Sequence, residues 1–417
     1  MKRTLAIAGT AFVIAVVIAA MFYGAVMKDA EPEPGDRNVG LEGTDLVLAE
    51  SNDFGFELFK ELDSEGDNVF FSPWSVSTAL AMAYEGARGE TAAEMAAVLR
   101  LPENDTERWE AFEEIFAELT ECGEGANLSA ANAFWNSNDF HMLENYTKVL
   151  DEYYMAEGRS LDFVGDPEGS RQTINAWVEG RTNGKIKDLI PSGAINPATV
   201  LILTNAIYMN ARWSQFFDAA NTHPGPFTSE SGDVLTVPIM RNAAENATYN
   251  YSETEDFQAI ELPYVGGELS MFVFLPKDGD ILDTVGLLDN GGFGSIVDSM
   301  GERNVKVFIP QFECETEYDL VDALKGMGIK AAFGGSADFS GIAGTDGLYV
   351  SKVSHKGFIK VNENGTEAAA ATAVLIERTG ISPSTAIFNA DHPFVFVIQH
   401  KPTGAILFMG KVANPLG

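Results

Sequence analysis

Apolar residues recur at helical spacing through the first half of the chain and at strand spacing through the second. Phe54, Leu58, Phe59 and Leu62 lie three and four residues apart, one face of a short helix. Pro73 is suited to open the next helix, which runs through Ser75 to Tyr84 on small and apolar side chains. Thr91 followed by Glu94 has the form of a capping box for a third helix ending near Leu99. Ser170 is a candidate cap for a helix reaching Arg181, with Ile174, Trp177 and Val178 as its apolar stripe. Val200–Met209 is almost unbroken in its apolar character, as a strand buried on both faces would be. Leu269–Leu275, Val305–Phe312, Leu348–Val353, Pro393–Gln399 and Ala405–Met409 are further strand candidates. Val305, Val307 and Ile309 share one face, and the turn His400–Gly404 joins the last two strands into a hairpin. Helices early and strands late predict an α+β domain.

One segment does not fit a packed core. From Glu363 to Ile376 the chain reads Glu-Asn-Gly-Thr-Glu-Ala-Ala-Ala-Ala-Thr-Ala-Val-Leu-Ile. The alanine run alone favours a helix. Read with period two, Thr366, Ala368, Ala370, Thr372, Val374 and Ile376 make a small, uncharged face that could enter a sheet without burying a charge. Gly365 ahead of it supplies backbone freedom.

Composition narrows the class. The 417 residues would allow two or three domains at about 150 residues each. No internal linker or repeat supports that division, so one domain from residue 46 to 417 is expected after an N-terminal extension. With 61 acidic against 27 basic residues the net charge is −34, which repels nucleic-acid phosphates and argues against that partner. Cys122 and Cys314 allow one disulfide at most. Lys2 and Arg3 precede an uncharged run from Leu5 to Met27, long enough for the roughly 20 residues a bilayer span needs. Residues 1–27 are therefore expected to be a membrane anchor or a cleaved signal, with the rest of the chain outside the cytoplasm. Residues 28–45, acidic and proline-bearing, read as a tether.

The sequence carries no GxSxG, HExxH, GxxxxGK[ST] or GxGxxG pattern, and its five histidines have no metal-ligand spacing. His355, near serines and lysines, reads better as a structural histidine bridging strands by hydrogen bonds than as part of a triad. A secreted hydrolase is disfavoured for want of a nucleophile constellation, and no cofactor or metal is expected.

The stretch from Glu363 to Val374 closely resembles the hinge of inhibitory serpins. The resemblance extends to NVFFSPWSVSTALAMAYEGARGETAAEM (Asn68–Met95), INAWVEGRTNGKIKDLI (Ile174–Ile190) and LTNAIYMNARW (Leu203–Trp213). It continues in ALKGMGIKAAF, ADFSGI, LYVSKVSHKGFIKVNENGTEAA and FNADHPFVFVIQHKPTGAILFMGKVANP, in family order from about Asn52 to Pro415. It implies three β-sheets, eight or nine helices, an exposed reactive loop and a metastable native state. It implies a monomer that traps a serine or cysteine protease by inserting its cleaved loop as a strand, supplying no catalytic residue of its own. Carried over by position, Glu363, Gly365, Thr366, Glu367, Ala368, Ala369, Ala370 and Ala371 form the hinge, with Thr366 near the exposed base of the loop before cleavage. Ser72, Ser75, Asn175, Asn205 and His355 match the polar cluster governing sheet opening, and Trp213 the aromatic where insertion begins. Family spacing, fourteen residues on from Gly365, puts the reactive bond at Thr379–Gly380, with Arg378 as the alternative specificity residue. Thr379 suits an elastase- or subtilisin-like target and Arg378 a trypsin-like one. The rival within the family is a non-inhibitory carrier, chaperone or storage protein.

Overall fold

The computed structural model describes residues 41–64, 66–120, 126–244, 247–277, 281–345, 347–366 and 385–417. In chain order these hold α1 (Gly43–Leu62), β1 (Val69–Phe71), α2 (Pro73–Tyr84), α3 (Gly89–Leu99), α4 (Asp105–Thr120), β2 (Ala126–Ser137), α5 (Glu144–Tyr153), β3 (Ala156–Leu161), α6 (Pro167–Arg181) and β4 (Leu201–Arg212). Next come β5 (His223–Thr228), β6 (Val234–Asn242), β7 (Thr248–Glu253), β8 (Phe257–Pro263), β9 (Leu269–Pro276), α7 (Ile281–Leu288), α8 (Gly292–Ser299), β10 (Gly301–Pro310) and β11 (Phe312–Asp319). The chain closes with α9 (Val321–Met327), α10 (Ser340–Ala343), β12 (Ser354–Asn362), β13 (Gly365–Thr366), β14 (Ala386–Asn389), β15 (Phe394–His400) and β16 (Ala405–Val412). The fold is α+β. Among the described residues ten α-helices stand where eight or nine were expected, α10 being a single turn. None of them is long and apolar enough to cross a membrane, and the run from Leu5 to Met27 lies outside the described residues.

Local chemistry explains several boundaries. Pro73 does occupy the first turn of α2, and the Ser72 hydroxyl accepts the Ser75 N–H at 3.1 Å as its cap. The capping box at Thr91 and Glu94 does not form, because both side chains serve another segment. Thr91 accepts the Asp338 N–H, and Glu94 accepts those of Lys330 and Ala331, while α3 begins two residues earlier. Asp166, not Ser170, caps α6 through the Gly169 N–H, and the Ser170 hydroxyl donates to the Asp162 carbonyl. The expected strand at Leu348–Val353 is irregular. Its backbone bonds go singly to Ala332 and Leu320 rather than into a ladder. The expected strand at Val305–Phe312 is divided, the Gln311 N–H turning to the Pro238 carbonyl between β10 and β11.

The strands form three sheets, two of which share a strand. The shared strand is β10. Residues 301–304 pair with β7, and the remainder pairs with β6 and with β14, the latter in parallel. Through it runs the order β1-β16-β15-β9-β8-β7-β10-β6-β5. The third sheet has the order β11-β12-β13-β4-β2-β3. In the first array β9, β15 and β16 are apolar along their length, and every residue of β9 and β16 is buried. Each such aliphatic side chain contributes roughly 1.5–3 kcal/mol. Of the polar residues that interrupt these strands, Ser270, Gln399, His400 and Lys411, the lysine is wholly buried but paired with Asp63 at 2.6 Å and Glu230 at 2.8 Å. Helix α2 packs between the two arrays against β4 and β16. Helix α6 covers part of the six-stranded sheet with a second apolar cluster, where Trp177 meets Trp135 of β2 edge to face at 5.6 Å.

Candidate functional site

In the six-stranded sheet β4 and β12 are not direct neighbours. The two residues of β13 lie between them, Gly365 opposite Asn362 and Arg212, Thr366 opposite Val361 and Ala211. Since β12 has nine residues and β4 twelve, most of the space between them holds no strand among the described residues. Directly below Thr366 that space is lined by Ile207 and Met209 of β4 and by His355 and Phe358 of β12. Val178, Thr182 and Ile186 of α6 and its following loop lie over it. Further down it opens into a cavity of about 270 Å³ walled by Val76, Leu80, Met95, Phe333 and Phe339. The site is a partly vacant strand position, narrow above and wide below.

Its upper end is closely bonded. Trp213 donates its indole N–H to the Asn362 carbonyl and its backbone N–H to the Asn364 carbonyl, both at 2.9 Å. Its ring stacks on Tyr264 at 4.5 Å with planes 13° apart. The Tyr264 and Thr366 hydroxyls share a hydrogen bond of 2.6 Å. Gln311 donates to Glu363 at 2.7 Å, and the Phe217 N–H donates to the Glu363 carbonyl. Gly365 is required here, because with φ at +149° a Cβ would fall 2.0 Å from the Ala211 carbonyl oxygen.

Thr366 corrects the expectation drawn from the sequence. It is 3% exposed and already paired in the sheet of the uncut chain, rather than near an exposed loop base. The cause is tertiary. Tyr264, stacked on Trp213 and distant in sequence from the hinge, offers its hydroxyl to the short side chain of Thr366.

Midway along the gap the polar residues converge. The Ser75 hydroxyl donates to Asn205 Oδ1, and Asn205 donates to Asn132 Oδ1 at 2.6 Å. Asn132 donates in turn to the Tyr154 carbonyl. His355 Nε2 accepts the Ser72 N–H at 3.2 Å, tying β12 to the start of α2. Burial lowers the His355 pKa to about 4, so its ring stays neutral. Ser72, Ser75, Asn205 and His355 thus come together. Asn175 does not join them, because its amide exchanges hydrogen bonds with Ile190 and pins the loop after α6. Trp213 stands apart at the top.

Sequence reasoning missed Asn132, Tyr264 and Gln311. Asn132 carried a readable signal, an amide inside the small-apolar stretch Ala130-Ala-Asn-Ala-Phe-Trp135. Glu367, Ala368–Ala371, Arg378, Thr379, Gly380 and Cys122 lie outside the described residues. Cys314 on β11 is a buried free thiol, its pKa pushed up to about 12 by burial. Among the described residues no group of three or more His, Cys, Asp or Glu side chains gathers as a metal site would require.

The model of one protein family, described as serpin (serine protease inhibitor), matches residues 49–415. An uncharacterised serpin-like protein of Thermococcus kodakarensis is 45% identical over 373 residues, 88% of this chain and 86% of its own. The leukocyte elastase inhibitor of Bos taurus is 37% identical over 380 residues, 88% of this chain and 99% of its own. Among solved structures, the native state of the thermophilic serpin tengpin superposes with a TM-score of 0.79 at 28% identity, covering 88% of this chain and 94% of tengpin. Human thyroxine-binding globulin with its hormone gives 0.79 at 28%, covering 89% and 99%.

Proposed function

The chain belongs to the serpin family, and from that premise we propose that it inhibits serine proteases as a suicide substrate. The observation that carries this reading is the strand position between β4 and β12 that the described residues leave mostly unfilled, with the hinge residues Gly365 and Thr366 already at its mouth. The protease attacks the loop at Thr379–Gly380 with its own nucleophile and becomes acylated. The freed loop then follows Thr366 down the gap. Ala368, Ala370, Thr372, Val374 and Ile376 are small or apolar on the inward face, so no charge is buried. Carrying the acyl-linked protease across the molecule distorts its active site before water can deacylate it. The inhibitor itself supplies no catalytic group, and the polar bridge through Ser75, Asn205 and His355 sets how readily the gap widens.

The extracytoplasmic setting, by anchor or by secretion, belongs to the same proposal and rests on the run from Leu5 to Met27. A carrier role is the second reading, favoured by the likeness to thyroxine-binding globulin with its bound hormone. The protein incubated with subtilisin-, elastase- and trypsin-like proteases should give a 1:1 complex that survives SDS. The peptide released on cleavage should begin at Gly380. A first residue of Thr379 would assign specificity to Arg378 and a trypsin-like target. Free turnover with every protease that cuts the loop would leave the carrier reading.

A further inference from the structure

We infer that Tyr264 is a positioning residue that latches the hinge in the sheet before any protease arrives, through its hydroxyl contact with Thr366. Three observations meet at this point. Gly365 and Thr366 are laddered on both sides, to Asn362 and Val361 of β12 and to Arg212 and Ala211 of β4. Thr366 is 3% exposed and Tyr264 wholly buried, so both hydroxyls are withdrawn from bulk solvent. The Tyr264 ring cannot swing away, because it is stacked on Trp213, which is itself bonded to the backbone carbonyls of Asn362 and Asn364. Burial raises the phenol's pKa, so the contact is between neutral groups.

The energetic logic is that of a matched pair. Removing one hydroxyl leaves the other buried and unsatisfied, whereas removing both leaves two apolar surfaces of unchanged shape. Hinge seating therefore depends on the match rather than on either residue alone. A seated hinge also withholds two residues, roughly 7 Å of extended chain at about 3.3 Å each, from the segment that follows Thr366. The two states, seated and released, present loops of different reach, and Tyr264 biases the chain toward the shorter. The consequence for trapping rests on the inhibitor reading, but the latch itself is testable without a protease.

The experiment is hydrogen exchange on the intact, uncut protein, following the peptide around residues 362–366, with a β15 peptide reporting global opening. In the wild type the hinge amides should be protected. Tyr264→Phe and Thr366→Val should each speed hinge exchange about ten-fold, with the β15 peptide unchanged. Thr366→Ser, which keeps the hydroxyl, should preserve protection, and the double variant Tyr264→Phe with Thr366→Val should recover most of it. Unprotected hinge amides in the wild type would overturn the seating. Additive effects in the double variant, or no effect in either single one, would overturn the latch. A protein that traps no protease yet shows the matched-pair pattern would refute the inhibitor reading and leave the latch standing.

Discussion

The array through β10 and the six-stranded sheet use the same backbone bonds and fill their surroundings in opposite ways. In the first, β9, β15 and β16 bring Phe272, Phe274, Phe394, Phe396, Leu407 and Met409 into a core with almost no exposure. In the second, β4 and β12 flank an incomplete strand and a cavity of about 270 Å³, bridged by an Asn–Asn–Ser relay and a neutral histidine. A close-packed sheet resists change because moving it opens voids. A sheet with a gap has already left that packing energy unrealised, so accepting a strand is a gain. The difference teaches where the molecule keeps its capacity to rearrange, and it can be broken from either side.

The largest effect is expected in the filled sheet. Phe274→Ala should destabilise the protein by about 3–5 kcal/mol, as large-to-small changes at buried phenylalanines do, measured by denaturant unfolding. Per molecule that remains folded, trapping should be unaffected. Next comes Thr366→Arg. An unpaired guanidinium in the Tyr264 pocket costs several kcal/mol, so the hinge should leave the sheet in the uncut protein and insertion should stall. Loss of the SDS-stable complex together with fast hinge exchange is the expected outcome. Undiminished trapping would show that the pocket does not gate insertion.

His355 gives a pH test of the gap. Its folded pKa of about 4 lies below the unfolded value near 6.5, so between these the unfolded chain binds the extra proton. Stability should be fullest above pH 6.5 and fall by about 3 kcal/mol as the pH drops to 4. The same titration on His355→Gln should lack this component; an unchanged slope would place the acid sensitivity elsewhere. The smallest effect is expected from Ala79→Leu, which projects into the cavity from α2. Filling it should raise stability by about 0.5–2 kcal/mol and lower the fraction of protease trapped, since a partly satisfied gap gains less from a strand. A rise in both would break the comparison.

The sequence made part of this legible. Continuous apolar runs identified β9, β15 and β16, because near-complete burial leaves a mark in composition. The run in β4 also located a strand, but Leu201, Ile202 and Leu203 are only half-buried because they line the cavity. The small-residue alternation from Thr366 onward supports the insertion proposal, because charge exclusion has a period, and of that segment Thr366 itself is seen in the sheet. Whether Thr366 is inside or outside before cleavage had no such mark, since it depends on Tyr264, 102 residues away. Leu348–Val353 misled for the converse reason. Its apolar residues line the cavity wall, and lining a wall requires hydrophobicity without a ladder partner. Thr91 and Glu94 had the spacing of a local motif, but their side chains serve distant amides.

One feature of β14 bears on timing. It is four residues long, paired in parallel with β10, and it begins twenty positions after Thr366. The chain joining them is thus fastened at both ends, at Thr366 in the six-stranded sheet and at Ala386 on β10, and in the trapping proposal it forms a closed circuit. While it is closed, every residue drawn into the gap must be supplied from a fixed length, until β14 would have to peel from β10. Cutting one peptide bond opens the circuit without breaking any ladder pair. Under the trapping proposal, this topology holds insertion back until the cut.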